Sequence, residues 1–302
     1  MAFFFDINST NDVVISENNI DDSISTNGGA DTVFASTGDD YYNGGTNTDL
    51  LSADRLAGDV YLDLSTSEAA GTSNLNVVAN GTVYNSKAYN FEHYDGNETT
   101  AYRDEVKGTS GYNDIRTYGG NDRIFISAGG DFYDAGTGVD TLDAGVYGGN
   151  VELNMQTGEL SGAGVSKTAL NFENYEGNST LNTTDTVRGS SGTNVINTYG
   201  GDDRVIISAG ANDLYDGGAD IDTLDATDYA AGTLRVDLMT GALLADGGAA
   251  KRALNFENFV GQTSTHTTVL GSAGNNTIRT FEGNDWLYGD DGSDVLSAGL
   301  GA

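Results

Sequence analysis

The stretch Asp114-Ile115-Arg116-Thr117-Tyr118-Gly119-Gly120-Asn121-Asp122 decides the fold, because it recurs along the chain. Asp22-Ser23-Ile24-Ser25-Thr26-Asn27-Gly28-Gly29-Ala30-Asp31 matches it upstream. Downstream come Val195-Ile196-Asn197-Thr198-Tyr199-Gly200-Gly201-Asp202-Asp203 and Thr277-Ile278-Arg279-Thr280-Phe281-Glu282-Gly283-Asn284-Asp285. Anchored on Ile24, Ile115, Ile196 and Ile278, the copies lie 91, 81 and 82 residues apart. Self-similarity at a nearly fixed period is the mark of a repeat architecture.

Inside each long repeat runs a nine-residue one. Asp22, Asp31, Asp40 and Asp49 are nine apart, as are Asn113, Asp122, Asp131 and Asp140. Asn194, Asp203 and Asn212 keep the step, Asp222 follows after ten residues, and Asn276, Asp285 and Asp294 end the series. Two residues beyond each stands a large apolar side chain, as in Ile24, Val33, Tyr42 and Leu51, or Ile196, Val205, Leu214 and Leu224. Two residues before most of them stands a glycine, as at Gly29, Gly38, Gly120, Gly129 and Gly138. The spacing predicts a short strand that turns its apolar residue inward, joined to the next by a turn in which glycine supplies positive φ.

These residues resemble the hemolysin-type (RTX) calcium-binding nonapeptide, Gly-Gly-x-Gly-x-Asp-x-apolar-x. Gly217-Gly218-Ala219-Asp220-Ile221-Asp222 and Gly289-Asp290-Asp291-Gly292-Ser293-Asp294 come close to the full pattern. The resemblance implies an all-β fold, a parallel β-roll or β-helix solenoid. Two nonapeptides make one coil there, and each calcium ion lies between turns two units apart. Carried onto this chain, it pairs Asp22 with Asp40, Asp31 with Asp49, Asn113 with Asp131, Asp122 with Asp140, Asp203 with Asp222 and Asn276 with Asp294, with Asp285 a further ligand. Aspartate oxygen suits calcium, a hard cation. The chain departs from the family at Thr26, Thr117, Thr198 and Thr280, where glycine is usual, and at 113, 194, 212 and 276, where Asn replaces Asp. Asparagine keeps a carbonyl oxygen but no charge, so Asn194 with Asn212 is expected to bind weakly or not at all. The competing reading is a solenoid of Asx-stabilised turns that needs no metal.

Residues 53–107, 144–188 and 226–270, between the nonapeptide blocks, also match one another. Each opens on an alternating segment, Val60–Leu64, Val151–Met155 or Leu234–Leu238, with the period of two of a half-buried strand. Each later carries Asn-Phe-Glu, at 90–92, 171–173 and 255–257. Phe91, Phe172 and Phe256 are expected in the core, and Glu92, Glu173 and Glu257 in solvent or on a cation. The inserts are expected to continue the stack as wider parallel coils, the first with an extra loop around Gly71 to Tyr84. The organisation is thus an N-terminal capping or pairing strand (1–13), three modules (14–107, 108–188, 189–270) and a terminal partial block (271–302).

Composition narrows the function. The chain of 302 residues carries 45 Asp and Glu against 13 Lys and Arg, a formal charge of −32, which excludes a nucleic-acid binder. It has no Cys, so no disulfide or zinc thiolate, and no Pro. Its 16 Tyr and 11 Phe argue against disorder. A folded chain so anionic calls for a neutraliser, and without lysines to spare the neutraliser is a divalent cation, calcium first. No window approaches a membrane span, and Met1 to Asn8 lacks the basic start and apolar length of a signal peptide.

Two classes of function fit. One is an extracellular calcium-binding repeat protein of a surface layer, matrix or adhesive filament, exported through a type I channel and folding where calcium is plentiful. The other is a polysaccharide-active β-helix enzyme of lyase or epimerase type, or the calcium module of one. The first is preferred because repeats occupy nearly the whole sequence and no catalytic constellation shows. His93 and His266 stand at unrelated positions, and Arg123 and Arg204 screen neighbouring carboxylates. A parallel stack ends in unpaired strands, so a homo-oligomer, head to tail in a filament or sheet with Met1 to Ile7 pairing at one end, is expected. Residues 298–302 break off inside a nonapeptide, whose turn is left for more chain or another subunit. Cell-surface polysaccharide is a further possible partner.

Overall fold

A computed structural model describes residues 4–6, 10–98, 102–229, 232–245, 250–263 and 265–301. Nearly all its regular structure is β, with one short 3₁₀ turn at Glu68–Ala70. Most strands are three residues long and bury only the middle one. Ile24, Val33, Tyr42, Leu51, Tyr94, Ile115, Ile124, Tyr133, Leu142, Ile196, Val205 and Leu224 are each wholly buried. Alternation explains this, since neighbours on a strand face opposite ways. A strand of three therefore sends one side chain into the coil and two outward.

The chain folds into two compact units, Met1–Tyr147 with Val165–Phe172, and Gly148–Gly164 with Glu173–Ala302. In the first, one parallel stack runs through Val13–Ile15, Thr32–Phe34, Leu50–Ser52, His93–Asp95, Asp114–Arg116, Phe132–Asp134 and Val165–Leu170. The facing stack contains Phe4–Asp6, Ser23–Ser25, Tyr41–Asn43 and the end of Thr82–Tyr89, then Asp59–Asp63, Asp104–Lys107, Arg123–Phe125 and Thr141–Asp143. The register is set by the sequence period. Ile24 faces Tyr42 and Val33 faces Leu51, eighteen residues or two nonapeptides on. Like apolar side chains thus stack in columns, the arrangement by which repeat units that cannot close a core alone share one.

In the second unit one stack holds Val151–Asn154, Thr186–Arg188, Arg204–Ile206, Thr223–Asp225, Asn258–Val260, Thr277–Arg279 and Val295–Ser297. The other holds Asn174–Glu176, Val195–Asn197, Leu214–Asp216 and Lys251–Leu254, and then Leu234–Asp237, Thr267–Leu270 and Trp286–Tyr288.

The inserts continue the parallel stacks at both ends, as expected, but each adds an antiparallel strand that its alternation does not announce. Leu75–Ala79 runs antiparallel between Asp59–Asp63 and Thr82–Tyr89, and Ala242–Ala245 lies in the same way between Leu234–Asp237 and Lys251–Leu254. Val151–Asn154 pairs antiparallel with Glu159–Gly162. Turn chemistry overrides the repeat here. Asn80 and Gly81 both take positive φ, 52° and 76°, as the tight hairpin turn favoured by Asn-Gly requires. A second difference concerns Leu214 and Asn212. The buried residues are Tyr215 and Asp213, whereas Asn212 is exposed at φ 61°. The extra residue of the ten-residue step precedes the third turn position, in a left-handed conformation that asparagine tolerates.

Of residues 1–7, the described ones, Phe4–Asp6, pair in parallel with Ser23–Ser25 of the same chain. Gly71 to Tyr84, expected as an extra loop, is largely the antiparallel hairpin of Leu75–Ala79 with Thr82–Tyr89, preceded by the 3₁₀ turn at Glu68–Ala70.

Candidate calcium centres

Every expected pair is brought together. The backbone N–H of each earlier residue donates to the carboxylate Oδ1 eighteen or nineteen residues on: Asp22 to Asp40 (2.8 Å), Asp31 to Asp49 (2.8 Å), Asn113 to Asp131 (2.9 Å), Asp122 to Asp140 (2.7 Å), Asp203 to Asp222 (2.9 Å) and Asn276 to Asp294 (2.9 Å). The ladders extend beyond the nonapeptide frame. Asp12, Asp104 and Asp185 donate to Asp31, Asp122 and Asp203, and Thr267 donates to Asp285. Two ladders are closed at their upper ends by glutamates, since Asp49 donates to Glu92 Oε2 and Asp222 to Glu257 Oε2, both at 2.9 Å. Sequence reading missed Asp12, Asp104, Asp185 and Asp213 as members. For Asp104 and Asp185 the signal was available, because each stands eighteen residues before a recognised aspartate.

Only one oxygen of most of these carboxylates is used. Asp12 Oδ2, Asp22 Oδ1, Asp31 Oδ2, Asp49 Oδ2, Asp104 Oδ1, Asp122 Oδ2, Asp203 Oδ2, Asp222 Oδ2 and Asp285 Oδ2 are buried with no hydrogen-bond partner. A buried charge without a partner is among the costliest arrangements in a protein. Burial pushes the carboxyls of Asp49, Asp203 and Asp222 up to about 7 and that of Asp122 to about 6. The charges of Asp31 and Glu92 add to the effect at Asp49, against the hydrogen bond from Asp31 N–H.

The turns bring carbonyl oxygens to the same places. A Cβ on Gly138 (φ 154°) would lie 1.6 Å from Gly120 O and 3.2 Å from Asp140 Oδ1, and one on Gly136 (φ 86°) would lie 2.0 Å from Tyr118 O. Glycine is needed both for conformation and because successive turns stack too closely for a side chain. Among the described residues no three or more His, Cys, Asp or Glu side chains gather as a metal cluster. A cation here would have one or two carboxylates and the turn carbonyls as its donors, all hard oxygens of the kind calcium prefers. The donor set fits that ion.

The departures from the family pattern have local causes. Asn113, Asn194 and Asn276 each donate their side-chain amide to the backbone carbonyl of an Asn-Phe-Glu glutamate, Glu92, Glu173 and Glu257, at 2.7, 3.1 and 2.9 Å. An aspartate cannot donate, so asparagine stands where an insert meets a nonapeptide block. Thr26, Thr117 and Thr198 bond the next coil, their hydroxyls donating to Gly44 O, Ala135 O and Gly217 O. In the inserts, Phe91, Phe172 and Phe256 are buried, and Asn90, Asn171 and Asn255 adopt positive φ. Arg123 and Arg204 pair with the buried carboxylates of Asp143 and Asp225. His93 accepts the Asp114 N–H at Nδ1 (2.9 Å) and lies edge-on to Tyr112.

Stacked carboxylates on turns of a parallel two-sided coil define a metal-binding β-roll. Four segments, residues 18–51, 98–133, 179–214 and 264–302, match the RTX calcium-binding nonapeptide repeat family, and the chain belongs to it. No curated protein matches the chain. RTX repeats imply calcium binding and are typical of secreted proteins. No helix among the described residues is long and apolar enough to cross a membrane.

Proposed function

We propose that this chain is an extracellular calcium-binding repeat protein with a structural role, which completes its fold by taking up calcium between stacked turns outside the cell. The observation that carries the reading is the set of buried carboxylate oxygens without partners on Asp22, Asp31, Asp49, Asp122, Asp203, Asp222 and Asp285. Sites at Asp22/Asp40, Asp31/Asp49, Asp122/Asp140, Asp203/Asp222 and Asn276/Asp294 bridge one coil to the next. Calcium supplies positive charge there. The chain supplies the spacing, through strands that hold the turns in register. Extracellular modules of this kind bind in the range of ~10⁻⁴ to 10⁻³ M, so they are empty in a cytosol and filled outside.

The structural rather than catalytic role is supported by what the polar groups do. The glutamates Glu92 and Glu257 cap ladders, and His93 serves a turn. Self-assembly is part of the proposal: the inward Leu296 of Val295–Ser297 is 44% exposed, whereas Ile278, its partner on the neighbouring strand, is wholly buried. A further coil, from more chain or from a second copy, would cover it.

Calorimetric titration with calcium, and with magnesium as control, tests the reading. Several calcium equivalents and little magnesium response are expected, and no calcium uptake refutes it. Light scattering at millimolar calcium tests assembly, which a single monomeric species would contradict.

A further inference from the structure

Two ladders differ from the rest. Lys167, in Val165–Leu170, is buried with its side chain 1% exposed, and its Nζ lies 3.0 Å from Asp131 Oδ2 and 3.2 Å from Ala128 O, in contact with Gly129 O as well. Lys251, in Lys251–Leu254, is 2% exposed and touches Asp213 Oδ2 and Gly210 O. One buried carboxylate and one or two turn carbonyls around a positive charge is the oxygen set that a calcium ion takes elsewhere in this fold. Neither Asp131 nor Asp213 keeps an oxygen without a partner. Asp131 Oδ2 also accepts from Tyr133 Oη and Ser127 Oγ, and Asp213 Oδ2 from Tyr215 Oη and Ser208 Oγ. The residues below them, Asn113 and Asn194, are uncharged, so each of these stacks balances one negative charge with one positive.

The first module is built otherwise. Ser86 holds the place of the two lysines, one residue before the position paired with Tyr41, as Lys167 and Lys251 stand one before those paired with Phe132 and Leu214. Its hydroxyl donates to Gly38 O and accepts the Asp40 N–H, both at 3.0 Å. There the stack carries two carboxylates, Asp22 and Asp40, and Asp22 Oδ1 is buried without a partner in a residue only 3% exposed.

We propose that Lys167 and Lys251 are tethered cations that stand in for calcium in the Asp131 and Asp213 turns. Those two turns close without metal, and Ser86 leaves the Asp22/Asp40 turn open to an ion. The inference deepens the calcium reading and rests on it. The Asn113/Asp131 pair, expected from the family to hold calcium, is then a metal-free turn. So is its counterpart Asn194/Asp213.

The test is calcium stoichiometry in the full chain by titration calorimetry, for wild type, Ser86→Lys and Lys167→Ser. Ser86→Lys is expected to bind one equivalent fewer and to need less calcium for half-maximal folding. Lys167→Ser is expected to bind one more and to need more calcium. Ser86→Lys keeps the test open where Lys167→Ser fails to fold, because it adds a cation instead of removing one. A wild-type chain that takes up no calcium defeats the calcium reading itself. Wild-type uptake left unchanged by Ser86→Lys overturns the lysine assignment alone.

Discussion

Acidification should stabilise the metal-free protein, the reverse of the usual behaviour of carboxylate-rich folds. Asp49, Asp203 and Asp222 are at most marginally exposed and titrate at about 7, and Asp122 at about 6, because burial disfavours their charge. In the unfolded chain the same groups titrate near 3.9. With the folded value above the unfolded one, the penalty acts in full above about pH 7 and is relieved as pH falls towards about 4, because the folded state then holds protons that the unfolded state has released. At about 1.4 kcal/mol per pH unit, a change from about pH 7 to about 5.5 contributes roughly 2 kcal/mol for each group titrating at 7. Asp203 and Asp222 are ladder neighbours, so they titrate as a pair and give less than twice that. The assay is thermal denaturation in chelator at about 0.5 M salt, which screens the general surface repulsion, across about pH 8 to 5.5. The melting temperature should climb by several degrees, at about 2 to 4 °C per kcal/mol. Asp49→Asn should lose its share of the slope. With saturating calcium the trend should reverse, since protons then compete with the ion. A chelated protein whose melting temperature is flat or falls on acidification would refute this account of the ladders.

Asp122→Asn should change sign with conditions. It removes a buried charge and so raises stability in chelator at about pH 8 by on the order of 1 to 3 kcal/mol, yet weakens calcium uptake. Equal effects with and without calcium would count against a metal role for that turn. Gly136→Ala and Gly164→Ala start from similar φ, 86° and 77°, but a Cβ at 136 meets Tyr118 O at 2.0 Å while one at 164 meets nothing within 4 Å. Urea denaturation should show about 1 kcal/mol lost at 164 and several at 136, and equal losses would deny the close stacking of turns. Tyr133→Phe removes the hydroxyl that donates to Asp131 Oδ2 (2.6 Å), which should lower stability by about 1 to 3 kcal/mol in calcium and chelator alike.

Much of this architecture is legible in the residues. The nine-residue step from Asp22 to Asp49 and from Asn113 to Asp140 gives strand positions and inward side chains, because a repeat converts sequence spacing directly into stacked geometry, and the family resemblance adds the eighteen-residue pairing. The inserts are less readable. Alternation in Val60–Leu64 identifies a strand but carries no sign of its direction. That depends on the Asn80-Gly81 turn, whose two left-handed residues reverse the chain. The third block misled because one inserted residue leaves both Asn212 and Asp213 chemically plausible, and only burial decides between them. Lys167 and Lys251 were invisible for another reason. They lie 36 and 38 residues from their partners, across an insert, and nothing local marks a lysine as buried.

The claim that a divalent cation completes this fold is tested most directly by far-ultraviolet circular dichroism of chelated protein at about pH 8, titrated with calcium and in parallel with magnesium. A β signal and melting temperature that rise steeply with calcium, by ~10⁻³ M, and hardly move with magnesium are the predicted result. A chelated chain already as folded and as heat-resistant as the calcium-loaded one would contradict it.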